Sequence, residues 1–73
     1  MDEAIRVFNM MLPGWWFTVG TCNLSRHASC GPDREGPEAH LLEKFDNGFH
    51  CDHDGTMAEA LTDVMNQALK AKQ

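Results

Sequence analysis

Apolar residues recur along the chain with two different periods, and the switches between them divide it into elements. Ala4, Ile5, Phe8, Met11 and Leu12 fall at i, i+1, i+4, i+7 and i+8, which predicts a helix over Asp2–Leu12 with one apolar side. Asp2 and Glu3 suit the positive end of its dipole, and Pro13-Gly14 stops it; a strand through Arg6–Asn9 is the competing reading. From Trp15 to Cys22 the period becomes two, with Trp15, Phe17, Val19 and Thr21 on one face and Trp16, Thr18, Gly20 and Cys22 on the other. After a turn at Asn23, Leu24, Arg26, Ala28 and Cys30 alternate with Ser25, His27 and Ser29, predicting a second strand antiparallel to the first. Gly31–Glu38 has the composition of a surface loop.

Ala39–Phe45 and Phe49–His53 flank Asp46-Asn47-Gly48, and an Asn-Gly step between extended runs predicts a hairpin because both residues tolerate positive φ. A three-residue loop would set Phe45 opposite Phe49, Glu43 opposite Cys51 and Lys44 opposite His50, avoiding a Glu43–Asp52 like-charge pair. Thr56-x-x-Glu59 is a capping box opening a last helix that runs to about Lys70. Met57, Leu61, Val64, Met65, Ala68 and Leu69 form its apolar stripe, while Lys70 and Lys72 suit its negative end. The fold expected is therefore a single α+β domain over residues 1–73. It has a small antiparallel sheet of three to four strands, a likewise expected N-terminal helix, and the C-terminal helix packed on the Trp15–Val19 face. Trp15 and Trp16 must then point to opposite faces, one into the core and the other either covered by the first helix or left exposed as an interface anchor.

At 73 residues the chain hides only about 60% of its unfolded surface, so its stability is modest and a partner or self-association is an easy supplement. A formal charge of -5 and pI near 5.1 disfavour direct nucleic-acid binding and favour a basic protein partner. The uncharged run from Val7 to Ser25 is broken by Asn9, Pro13, Gly14, Gly20 and Asn23, against a membrane span. The acidic start at Asp2-Glu3 does not suit a secretory leader, and an odd set of cysteines, Cys22, Cys30 and Cys51, suits a reducing cytoplasm. In that compartment the Asn23-Leu24-Ser25 sequon has no meaning.

The densest chemistry is His50-Cys51-Asp52-His53-Asp54. On a strand Cys51 and His53 share one face, where Cys22 or Cys30 from a neighbouring strand would complete a zinc set, yet no CxxC or HxxxH pair is present. Asp52, Asp54 and Gly55 echo a calcium loop without its later ligands. Cys51 flanked by His50 and His53 would need the histidines to converge on it, and neighbours on a strand diverge. Neither an enzyme nor a cofactor is expected.

The carboxylates are spread differently: Asp33, Glu35 and Glu38 in the loop, Glu43, Asp46, Asp52 and Asp54 around the hairpin, Glu59 and Asp63 on the exposed helix side. Converging from the hairpin and the helix start, they would make a negative strip of the kind that imitates a phosphate backbone. In small size, acidity, sheet-plus-helix pattern and lack of a catalytic motif, the chain resembles the phage- and prophage-encoded inhibitors of the anti-CRISPR kind that block type I surveillance complexes. The resemblance implies a non-catalytic DNA mimic acting in the host cytoplasm. As a monomer or weak homo-oligomer it would occupy the basic DNA-binding surface of a host complex such as Cascade, without touching nucleic acid itself. The alternatives are a zinc- or thiol-dependent regulatory module and a small subunit docking through Trp15 and Trp16.

Overall fold

The computed structural model describes residues 1–22, 25–45 and 48–72. The elements follow in the order α1 (Asp2–Met11), β1 (Trp15–Cys22), β2 (Ser25–Pro32), a short 3-10 turn (Ala39–Leu42), β3 (Phe49–His53) and α2 (Met57–Lys72), which makes the fold α+β. The strands form one antiparallel three-stranded sheet in the order β1-β2-β3. Trp15 pairs with Pro32 and Cys22 with Ser25 across β1 and β2, while Arg26 pairs with His53 and Cys30 with Phe49 across β2 and β3. No helix among the described residues is long and apolar enough to cross a membrane.

Both helices pack on the same face of this sheet. Phe8 and Leu12 of α1, Trp15 of β1, Ala28 and Cys30 of β2, and Ala60, Leu61, Val64, Met65 and Ala68 of α2 form the core. The apolar stripe of α2 lies mainly across β2 and β3 rather than on the Trp15–Val19 strand, with α1 packed beside α2 and reaching β1 through Phe8. There the Phe8 and Phe17 rings meet at 4.9 Å. Met11 and Met57, expected inside, are exposed, and Ala60 is buried in α2 while Val7 packs against the core from α1.

Thr56 and Glu59 exchange the two bonds of the expected box: Glu59 N–H donates to Thr56 Oγ1 at 3.1 Å, and Thr56 N–H donates to Glu59 Oε1 at 3.0 Å. That donated bond holds the exposed Glu59 carboxyl below its ordinary value.

The strand expected over Ala39–Phe45 does not form. Ala39–Leu42 is a 3-10 turn, continued by bonds from Lys44 and Phe45 N–H to Leu41 C=O at 3.0 and 2.9 Å. This coiling puts Leu41 and Phe45 together against the core, with Phe45 and Phe49 rings 5.1 Å apart. Facing Cys51 and His50 are Ala28 and Ser29 of β2, not Glu43 and Lys44. The turn expected at Asn23 and the Asp46-Asn47 step lie outside the described residues.

Candidate functional site

Two helices on one side of a sheet leave the other side bare, so this molecule has two distinct surfaces where side chains gather. The first is a groove of about 500 Å³ between α1 and the start of α2. Ala4 and Val7 of α1 and Ala58 and Met65 of α2 give it apolar walls, while Glu3, Glu59 and Asp63 supply carboxylates. His53 also lines the groove, held from both sides. Gly55 N–H donates to its Nδ1 at 2.7 Å, so the ring proton sits on Nε2 and points to Asp63 Oδ2 at 3.2 Å.

The second surface is the bare sheet face, which carries Trp16, Thr18, Gly20, His27, Ser29, His50 and Asp52 by strand parity. Trp15 and Trp16 separate as two-residue periodicity requires: Trp15 is 5% exposed in the core and Trp16 is 40% exposed on the bare face. Neither helix covers Trp16. Its ring lies across Gly31, where any Cβ would come within 2.8 Å of it, and beside Gly48, whose φ of 68° favours glycine on its own account. Pro32, Asp33, Arg34, Glu35 and Leu42 border the cleft next to this ring.

The acidic residues singled out in the sequence fall in several places. Glu59 and Asp63 share the helix groove, with Asp54 exposed in the bend ahead of α2. Asp33 and Glu35 lie beside Trp16, at the opposite end of the sheet, where Asp33 Oδ1 caps a local turn by accepting Glu35 N–H at 3.1 Å. Asp52 is on the bare face and Glu43 is exposed in the turn after Leu42. Asp46 lies outside the described residues. Glu38 is tied up internally. Its Oε1 accepts Trp15 Nε1–H at 2.8 Å and Lys72 Nζ at 2.7 Å, and the ammonium stands 5.7 Å from the Trp15 ring centroid. Lys72 foremost, with help from Trp15, holds the Glu38 carboxyl below its ordinary value.

Of the cysteines weighed as metal or nucleophile candidates, Cys30 and Cys51 are thiols packed beneath α2. Cys51 Sγ donates to Ala60 C=O at 3.1 Å and Cys30 Sγ to Val64 C=O at 3.9 Å. Burial, followed by the neighbouring Cys51, pushes Cys30 up to about 12, and burial with the nearby Asp63 and Asp52 raises Cys51. Thiols shifted this way are poor thiolate ligands and poor nucleophiles. Cys22 lies exposed at the end of β1, on the other face from both.

Periodicity alone did not point to Glu3, His53, His27 or Ser29 as parts of these surfaces. Glu3 and His53 reach the groove only because α1 and α2 lie side by side, and His27 and Ser29 meet β3 only in the register observed. The alternation of β2 and β3 was the one available signal, since it already put His27 with Ser29 and His50 with Asp52. No protein-family model, curated protein or solved structure matches the chain.

Proposed function

We propose that the chain is a non-catalytic binding protein that engages a basic surface of a protein partner, in the manner of the phage-encoded inhibitors it resembles. The observation that carries this reading is the groove between the helices, where Glu3, Glu59 and Asp63 surround apolar walls. A lysine or arginine has an apolar stem and a charged head, and such a groove accommodates both at once. The chain's charge of -5 adds long-range attraction toward a cationic surface. In its finer form the partner is the DNA-binding surface of a type I surveillance complex in the host cytoplasm, from which the protein would displace DNA by competition.

The test is competition for target DNA by a purified surveillance complex across a range of salt. Asp63→Lys and Asp54→Lys are the informative variants, since both side chains are exposed and outside the helix cap. Glu59 is unsuitable because reversing it would also uncap α2. Inhibition should fall steeply as salt rises and be lost in the two reversals while the melting temperature holds. Undisturbed DNA binding at a stoichiometric excess of the protein, or inhibition unchanged by both reversals, refutes the finer form.

A second reading rests on Trp16, the large aromatic on the bare sheet face. It makes the chain a small subunit docked through that face, with association insensitive to salt and lost in Trp16→Ala.

A further inference from the structure

The groove between the helices is longer than one side chain, and we propose that it receives a basic amphipathic helix of the partner protein, laid in with its apolar side down. The proposal rests on the groove reading of the function and names the form in which the partner's cations arrive.

Helical spacing extends the groove along both walls. Met1 and Glu3 of α1 line it together with Ala58 and Glu59 of α2, and Lys72 at the far end of α2 stands over Trp15, just past α1, so the two helices run in the same direction. On α1, Ala4 and Val7 are followed along the same line by Met11, which is 46% exposed. On α2, Ala58 and Met65 are followed by the half-buried Leu69. At roughly 1.5 Å per residue this apolar line is about 10 Å long on α1 and about 16 Å on α2. A single lysine stem does not cover it.

The walls choose a helix over an extended segment. Both are helices whose backbones are paired within themselves, so they offer no row of free N–H and C=O groups to a strand. An extended segment laid there would bury its own polar backbone without partners, whereas a helix brings its backbone already paired. Apolar residues at i, i+3, i+4 and i+7 of that helix find space over the small Ala4 and Ala58 and an adaptable contact in Met65.

The charges fix its flanks. Glu3 stands on the α1 wall, and Glu59 and Asp63, one turn apart, stand on the α2 wall; all three are exposed. Glu59 commits Oε1 to the helix cap and Asp63 commits Oδ2 to His53, which leaves the second oxygen of each for an incoming lysine or arginine. Glu3 pairs with Arg6 as an exposed neighbour on its own helix, a kind of pair weak enough to exchange. Acids thus border an apolar floor on both sides, which complements a helix with one apolar face and cations along both flanks.

The deciding experiment titrates the full chain with a synthetic peptide of leucine, alanine and lysine, its leucines at i, i+3, i+4 and i+7 and its length about 15 residues so that it is helical in water. One control peptide carries glutamate in place of lysine, and a second has the same residues shuffled into a period of two. Calorimetry should give one basic helix per chain, and methyl NMR should show shifts at Ala4, Val7, Ala58 and Met65. Asp63→Lys, which reverses a flank, and Ala58→Arg, which fills the floor with bulk and like charge, should each weaken binding by about tenfold or more. No binding at millimolar peptide, equal binding of either control, or shifts confined to residues outside the groove overturns the proposal. If Asp63→Lys abolishes competition with DNA while the basic helix does not bind, the groove reading stands and this proposal alone falls; if neither effect is seen, both fall. Should either variant unfold, the methyl shifts of the natural chain with the three peptides decide alone.

Discussion

The Glu38 carboxylate shows how far a single residue's role departs from its appearance in sequence. Among the loop acids it reads as solvated charge, yet it joins the loop to the Trp15 indole of β1 and to Lys72 near the end of α2. Both side chains of the ion pair are about a quarter exposed, at 24% and 23%, which puts it between a surface pair and a buried one. Glu38→Gln, which keeps an oxygen for the indole but removes the charge, is expected to cost about 1 kcal/mol in urea unfolding. Because Lys72 lowers the folded-state pKa of Glu38, the pair's contribution is fully present above the ordinary carboxylate range. It disappears as pH falls through the lowered value. The stability gap between the natural chain and Glu38→Gln should therefore close in acid, and a gap that stays constant with pH would mean the charge does not matter there. Nothing local identifies Glu38, whose partners are 23 and 34 residues away.

At the scale of elements, strong local signals were sufficient wherever they agreed with packing. The capping box located the start of α2, and alternation located β1 over Trp15–Cys22 and β3 over Phe49–His53 as observed. Thr56→Ala should cost about 1 kcal/mol, with Thr56→Ser recovering most of it, in thermal unfolding. Faster amide exchange should be confined to the first turn of α2. The stretch Ala39–Phe45 went the other way because the Asn-Gly signal speaks only for a turn, not for the strand entering it. Here β3 takes β2 as its partner, and Leu41 and Phe45 reach the core by coiling. The competition was between a local preference and a long-range pairing, and only the register reveals which prevailed. For the same reason the acids could be assigned to elements but not to places: the loop acids Asp33 and Glu35 lie beside Trp16, and the helix-start acids Glu59 and Asp63 lie in the groove beside α1.

For the molecule as a whole, strands adjacent in sequence are adjacent in space, whereas α1 and α2, the first and last elements, must find each other across the entire chain. These two kinds of contact have different entropic costs of closure, which gives the folding reaction an order. The β1-β2-β3 meander should be largely formed in the transition state, with the helix pair closing after it. In chevron measurements Ala28→Gly in β2 should mainly slow folding, whereas Val7→Ala, at the helix groove, should mainly speed unfolding. The groove proposed to receive the partner would then be the last part to assemble and the first to open. A partner holding α1 against α2 would lengthen the lifetime of the native state while leaving the folding rate almost unchanged.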